Sequence, residues 1–170
     1  MSVAEKLNIL ILCTGNSARS IITEGLLNHF GGELVKAYSA GSQPTGTPNP
    51  FALQALRDNG IDPSFARSKS WDEFAAETAP KMDLIITVCA NAAGEICPVW
   101  PGHPASAHWG VDDPAAIIGS DEEIRAGFAD CFDQMKDRVT SFLTGLDHGE
   151  DMHRRAKTVE AQYPDTENIL

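Results

Sequence analysis

The sequence lacks the features that mark membrane and exported proteins. No apolar run approaches the roughly 20 residues that a helix needs to cross a bilayer. The N-terminus, MSVAEKLNILILC, has one Lys and a short apolar run interrupted by Asn8, a pattern more typical of a strand than of a signal peptide. We therefore expect a cytoplasmic protein with no membrane partner.

Basic residues are also scarce. The 170 residues include 13 Lys and Arg against 24 Asp and Glu, which gives a formal net charge of −11. A nucleic-acid binder needs a basic face to neutralise phosphates, so the composition argues against that class. It does not exclude a small anionic ligand, because backbone N–H groups and a single arginine act at contact distance.

Cysteines are few, at positions 13, 89, 97 and 131. In a reducing cytosol such thiols are more often catalytic, redox-active or buried than bridged, so no disulfide scaffold is expected. Cys131 falls on the apolar stripe of a predicted helix, which indicates a core position.

Apolar runs alternate with helical patterns along the chain. LNILIL (7–12) and DLIITVC (83–89) are typical of buried parallel strands, and ELVKAYSAG (33–41) favours a strand nearer the sheet edge. Helices are predicted from Ser17 or Ser20, as the cap, to Gly31–Gly32, and over 49–60 and 121–145.

This alternation predicts a single-domain α/β fold, a parallel sheet with helices on both faces in a three-layer α/β/α sandwich. We assign residues 1–146 to that domain and the polar residues 147–170 to a C-terminal tail or a peripheral helix. Ligands of such folds bind at the carboxyl ends of the strands, and Cys13 lies at such an end.

The stretch CTGNSARS (13–20) follows the first predicted strand and leads into a helix. Backbone N–H groups and a helix N-terminus can hold an oxyanion there. Gly15 permits close approach, Ser17 and Ser20 offer hydroxyls, and Arg19 offers a planar fork for two oxygens. The same donors are predicted to lower the pKa of Cys13. The Cys-x5-Arg spacing alone is weak, since a free Cys is usually core, but its position between strand and helix favours catalysis.

CTGNSARS resembles the phosphate-binding loop of the low-molecular-weight tyrosine phosphatase superfamily, and its Thr-Gly-Asn-Ser form resembles the arsenate reductases of that superfamily. The resemblance implies a four-stranded parallel sheet and attack by Cys13 on arsenate, with phosphate and sulfate as analogues. It implies oxyanion binding by the loop residues Thr14, Gly15, Asn16, Ser17, Ala18, Arg19 and Ser20.

VCANAAGEICPVWPG (88–102) is similar to the redox segment of thioredoxin-linked arsenate reductases. The resemblance implies that Cys89 attacks Cys13 and releases arsenite, and that Cys97 then attacks Cys89 to leave a Cys89–Cys97 disulfide. An external thiol would reduce this disulfide: thioredoxin, or alternatively glutaredoxin with glutathione. No bound cofactor is expected. Seven residues separate Cys89 from Cys97, one more than in the best-known form.

Two other interpretations of the Cys89/Cys97 pair stay open. The cysteines could be an inert buried pair, or they could hold a structural zinc ion together with His103 or His108. Cys-x7-Cys lacks the short ligand spacing of zinc knuckles, so we expect no metal.

HWGVDDPAA (108–116) supplies a candidate acid. A departing oxygen needs a proton, and the superfamily carries its general acid directly before a proline, which is Asp113 here, with Asp112 as a helper. The alternative for Asp113 is a turn or N-terminal cap.

Four further polar residues match supporting positions of the family. Asn16 is expected to hold the tight backbone of the loop. Glu24 and Ser39 match positions that in some members hold the loop or a monovalent cation, and Lys69 stands where those members have an acid, so its ammonium could replace the ion. Plain surface or capping polarity is the alternative for each.

The sequence thus predicts an arsenate reductase that acts in arsenic detoxification, with residual phosphatase activity. It does not define the oligomeric state, for which a monomer is the default. A phosphatase for aryl phosphates or phosphotyrosine is the main alternative, since Cys13, Arg19 and Asp113 would suffice for it. An oxyanion-binding or redox-sensing protein without turnover is a second.

Overall fold

The computed structural model describes residues 5–89, 100 and 104–165, and in it four strands form one parallel sheet. The strands are β1 (Leu7–Leu12), β2 (Val35–Ala40), β3 (Leu84–Thr87) and β4 (Ala105–His108), in the order β2-β1-β3-β4. β1 has the predicted bounds, and β2 lies at the sheet edge as expected. The sheet confirms the predicted α/β fold.

The strand register brings chemically important residues together at the carboxyl ends of the strands. Leu12 pairs with Ala40 and with Thr87, and Thr87 pairs with His108. Because all four strands are parallel, the segments that follow them leave from the same edge. Cys13 and Cys89 both lie just beyond strand ends there.

Four α-helices accompany the sheet among the described residues: α1 (Arg19–Gly31), α2 (Pro50–Asp58), α3 (Asp121–Asp147) and α4 (Met152–Gln162). α2 begins as predicted, because Asn49 accepts a hydrogen bond from the Phe51 amide and Pro50 occupies the first turn. α3 begins at a capping Ser120, which accepts from the Glu123 amide. The boundary at residue 146 stays a prediction.

One predicted helix cap is wrong. Neither Ser17 nor Ser20 caps α1, whose N-cap residue is Ala18 and has no side-chain hydrogen bond. The Ser20 hydroxyl instead accepts from the Asn16 side-chain amide, so it is turned toward the loop. The N-cap of α1 thus makes no side-chain hydrogen bond to the first-turn amides, and amides of this kind are suited to an anion.

The core lies between the sheet and the helices. The β1 residues Ile9 to Leu12 are fully buried, and Trp109 packs edge-on against Phe142 of α3. Cys131 of α3 is buried, as the helical stripe predicts. Within the described part of the chain, no helix combines the length and the apolar character that a bilayer span requires.

Candidate active site

The loop Cys13–Ser20, here called the nucleophile loop, curls between the end of β1 and the start of α1. Asn16 has a positive φ of 44°, in the left-handed region that Asn tolerates better than most residues. Its buried side chain donates to Ser20 Oγ and Ser39 Oγ, both at 2.9 Å, and accepts from the Lys69 amide at 2.9 Å. The predicted role of Asn16 in the backbone turn agrees with this geometry.

A neighbouring segment holds the nucleophile loop through its backbone. Three loop carbonyls accept backbone hydrogen bonds of 2.9 to 3.0 Å from this segment. The Thr14 carbonyl accepts from the Gln43 amide, the Gly15 carbonyl from the Thr45 amide and the Ser17 carbonyl from the Asn49 amide.

Close packing completes this support. A Cβ added at Gly41 would overlap the carbonyl oxygens of Cys13 and Thr14, so a side chain does not fit there. Ser68 donates to the Gly15 carbonyl at 3.2 Å. Sequence reasoning missed Gly41, Thr45 and Ser68, because their contacts with the loop arise only when β2 lies beside β1.

Arg19 and Asp113 face each other across the cleft. The guanidinium of Arg19 is buried, and its Nη1 donates to the Val111 carbonyl at 2.9 Å. Its Nη2 lies 3.7 Å from Asp113 Oδ2. The other Asp113 oxygen, Oδ1, accepts from the Ala115 amide at 2.9 Å. Asp113 thus caps a short 3-10 helix at Pro114–Ala116, as the alternative interpretation expects, and it also lines the cavity. Its role as the general acid stays a prediction.

The thiols of Cys13 and Cys89 line the same cavity and interact electrostatically. The Thr14 amide also points at Cys89, with its nitrogen 3.4 Å from Sγ. Both cysteines are buried. Two thiols that line one cavity are placed on the same side of the site, as disulfide formation between them requires.

The predicted shift of the Cys13 pKa is wrong for this arrangement. The hydrogen bond to Cys89 and burial both raise the pKa of the Cys13 thiol, and Arg19 lowers it by a smaller amount. The sequence could not reveal this direction, because the approach of Cys89 is a tertiary contact.

These groups surround one cavity of about 270 Å³. Its lining consists of Cys13, Thr14, Gly15, Asn16, Ser17, Ala18, Arg19, Thr45, Cys89 and Asp113. A larger cavity of about 420 Å³ lies between α1 and α3, lined by residues such as Phe30 and Leu143. We place the chemistry in the smaller cavity, since it joins a nucleophile, a second thiol, an arginine and a carboxylate.

The supporting residues form a buried cluster beneath the nucleophile loop. Ser39 Oγ donates to Glu24, and Lys69 Nζ donates to the Arg67 carbonyl at 3.0 Å. Burial raises the pKa of Glu24, while Lys69 and the Ser39 hydroxyl act against that shift. Burial lowers the pKa of Lys69, which Glu24 counteracts. The structure thus brings Asn16, Glu24, Ser39 and Lys69 together.

Cys97 and His103 lie outside the described residues, so the second half of the relay stays a prediction, and the zinc alternative, which needs Cys97 with His103 or His108, stays untested. Among the residues that are described, no group of His, Cys, Asp and Glu is arranged to hold a metal ion.

Residues 8–153 match the family model described as low molecular weight phosphotyrosine protein phosphatase. The chain belongs to this family. The predicted resemblance is therefore confirmed, and the nucleophile loop and Asp113 both lie inside the match.

Curated relatives carry the name arsenate reductase. The chain is 40% identical over 134 residues to the protein of that name from Halalkalibacterium halodurans, covering 79% of this chain and 93% of the relative. It is 41% identical over 137 residues to the one from Bacillus licheniformis, covering 81% and 95%.

The fold is also similar to that of a solved thioredoxin-dependent arsenate reductase from Corynebacterium glutamicum. The TM-score is 0.62 at 23% sequence identity, covering 88% of this chain and 66% of the other.

Proposed function

We propose that the protein reduces arsenate to arsenite. The observation that carries this proposal is the pair of thiols, Cys13 and Cys89, that line one cavity together with Arg19 and the nucleophile loop. A phosphatase needs one nucleophile, whereas reduction of arsenic from As(V) to As(III) takes two electrons, which two thiols supply. The relatives named arsenate reductase support the same activity.

The first step forms a bond between Cys13 Sγ and arsenic. As the Cys13 thiol attacks, its proton passes to the Asp113 carboxylate, which donates it to one hydroxyl of arsenate, and that hydroxyl leaves as water. Arg19 and the amides of the nucleophile loop hold the remaining oxygens. Arsenate bound near Arg19 and the N-terminus of α1 is surrounded by hydrogen-bond donors, which stabilise the negative charge on its oxygens during the reaction.

The second step transfers the electrons. Cys89 Sγ attacks Cys13 Sγ, the sulfur–sulfur bond forms, and the electron pair of the sulfur–arsenic bond passes to arsenic. Arsenic is reduced by two electrons, and the two sulfurs together are oxidised by two. The proton from Cys89 goes to arsenite. The Thr14 amide is placed to stabilise the Cys89 thiolate during this attack.

Cys97 completes the proposed cycle by attacking Cys89, which regenerates Cys13 and leaves a Cys89–Cys97 disulfide. Thioredoxin is the favoured reductant, because a relative of the same fold is described as thioredoxin-dependent; glutaredoxin with glutathione is the alternative. Such a cycle requires a reducing compartment, so we place the protein in the cytoplasm.

Lys69 is proposed to supply the positive charge beneath the loop. Its charge opposes the rise of the Glu24 pKa that burial causes. Glu24 accepts a hydrogen bond from the Ser39 hydroxyl, which in turn accepts one from the Asn16 side chain. An ammonium at this position removes the need for a monovalent cation. Added potassium should therefore leave turnover unchanged.

A single-turnover experiment tests the function. Pre-reduced protein, freed of reductant, is mixed with arsenate, and arsenite and free thiols are counted. We expect one arsenite and the loss of two thiols per chain. Cys89→Ser should abolish arsenite release, whereas the matched control Cys131→Ser, which changes a buried cysteine of α3, should retain it.

An aryl-phosphate phosphatase is the second candidate, favoured by the placement of Arg19 and Asp113 beside Cys13. It predicts hydrolysis of an aryl phosphate that survives Cys89→Ser and is lost in Cys13→Ser. Wild-type protein that hydrolyses aryl phosphate but releases no arsenite would replace the first proposal with this one.

A further inference from the structure

The end of β4 is covered by residues from the C-terminal part of the chain. The His108 amide donates to the Glu160 carboxylate, and His108 Nε2 lies 2.6 Å from Asp165 Oδ2. The next residue, Trp109, donates from its indole nitrogen to the Ala156 carbonyl at 3.1 Å. We call the residues from Met152 to Asp165 the C-terminal clamp.

The clamp also packs against Gly110. A Cβ added at Gly110 would overlap the Asp165 carboxylate, so that carboxylate packs directly on the backbone of Gly110. From the other side, Nη2 of the buried Arg138 lies 3.3 Å from the Gly110 carbonyl and 3.5 Å from the Pro164 carbonyl, and donates to both. Consecutive residues 108, 109 and 110 are thus each held by the clamp.

The active-site contacts begin one residue later. The Val111 carbonyl accepts from Arg19, and Asp113 faces the same guanidinium. The clamp therefore fixes the three residues that lead into the candidate acid. His108 Nδ1 lies 2.7 Å from the Thr87 hydroxyl, so the same contacts reach the end of β3, two residues before Cys89.

We propose that the C-terminal clamp positions residues 108–113, which form the acid side of the active-site cleft. Asp165 is the principal positioning residue and acts through His108 and Gly110. The contacts are charged and directional: a carboxylate on an imidazole, a carboxylate on an amide and a guanidinium on two carbonyls. Such contacts fix orientation more narrowly than apolar packing does. The match to the family model ends at residue 153, so nearly all of the clamp lies beyond it.

The proposal rests on the proposed arsenate chemistry, and Asp165→Asn tests it. The amide keeps the size of the side chain but removes its charge. The control is Asp151→Asn, which makes the same charge change at the residue just before the clamp, where Asp151 accepts from the Arg154 amide. Gly110→Ala is the second test variant, because the added methyl displaces the Asp165 carboxylate without altering a cavity-lining group.

Two readouts are needed. The first is amide hydrogen exchange over residues 109–113, where the Trp109 amide is hydrogen-bonded to the Thr87 carbonyl at 2.8 Å. The second is the single-turnover rate of arsenite release at saturating arsenate, together with the binding constant for phosphate. We expect faster exchange confined to this stretch and release slowed roughly tenfold in Asp165→Asn and Gly110→Ala. Phosphate binding should change much less than the release rate, since the nucleophile loop keeps its own supports and only the Val111 contact with Arg19 lies in the affected stretch.

The control variant should match wild type in both readouts. Unchanged exchange and unchanged release in Asp165→Asn would overturn the proposal, as would faster exchange spread evenly over the whole chain. If wild-type protein releases no arsenite, the proposed function fails separately. The exchange pattern and the rate of aryl-phosphate hydrolysis then decide the positioning role by the same criteria.

Discussion

The two sides of the cleft are supported by different kinds of interaction. The nucleophile loop is supported by a close backbone approach at Gly41 and by the buried amide of Asn16. The acid side, residues 108–113, is supported by carboxylates and an arginine that come from residue 138 and beyond. The backbone of the nucleophile loop, which must fit an oxyanion, is thus tightly restrained by packing and buried hydrogen bonds. The acid side depends instead on charged contacts, which a single charge change can weaken.

Replacing Asn16 should have the largest effect. Asn16→Ala removes hydrogen bonds to Ser20, Ser39 and the Lys69 amide and leaves these partners buried, so the free energy of unfolding should fall by about 4 kcal/mol. Urea unfolding measures the change. Asn59→Ala is the control, because it removes a single side-chain bond, to the Ala55 carbonyl, and should lose about 1 kcal/mol. Equal losses in the two variants would contradict the role given to Asn16.

Gly41→Ala should come next. The added methyl meets backbone carbonyls of the nucleophile loop, so the loop must shift, and we expect a loss of about 2 to 3 kcal/mol together with weaker phosphate binding. Gly119→Ala is the control, because the three atoms nearest to its added methyl belong to the flexible side chain of Glu123 and not to the backbone. Calorimetric titration with phosphate gives the binding change, and unaltered affinity in Gly41→Ala would show that the loop does not depend on this contact.

Glu24→Gln should change the pH dependence of stability. Because burial raises the pKa of Glu24, the folded state binds this proton more tightly than the unfolded state does. The resulting stabilisation is full below the ordinary carboxyl pKa of 4.5 and is lost as pH rises through the raised value. Urea unfolding between pH 4.5 and 8 should show a smaller decline in Glu24→Gln than in wild type. Parallel curves would argue against a buried, ionisable Glu24.

Arg67→Ala should have the smallest effect, and it sharpens the contrast between buried and exposed charges. Arg67 and Glu73 form a bidentate pair at 2.8 and 2.9 Å, but 61% of the Arg67 side chain and 45% of the Glu73 side chain are exposed. We expect a loss below about 1 kcal/mol by urea unfolding. A loss as large as that of Gly41→Ala would mean that Arg67 also supports the loop.

The sequence predicted what depends on local pattern. The run LNILIL defined β1, and the strand–loop–helix order around CTGNSARS located the nucleophile loop and Arg19. β4 was missed because ASAH is short and lacks an apolar run. The partners of His108 were missed because Glu160 and Asp165 are more than fifty residues away along the chain.

The direction of the Cys13 pKa shift shows the same limit. The donors of the nucleophile loop were readable from the motif, but the opposing effects of burial and of Cys89 arise from a contact across the sheet edge. The cap of α1 likewise depended on Asn16, which engages Ser20.

The most direct test of the account is to trap the first disulfide. Cys97→Ser removes the proposed third thiol, so a single turnover with arsenate should stop at a Cys13–Cys89 bridge, identified by peptide mapping under non-reducing conditions, with one arsenite released per chain. Arsenite without that bridge, or a bridge from Cys13 to Cys131, would contradict the transfer of electrons from the Cys13–Cys89 pair.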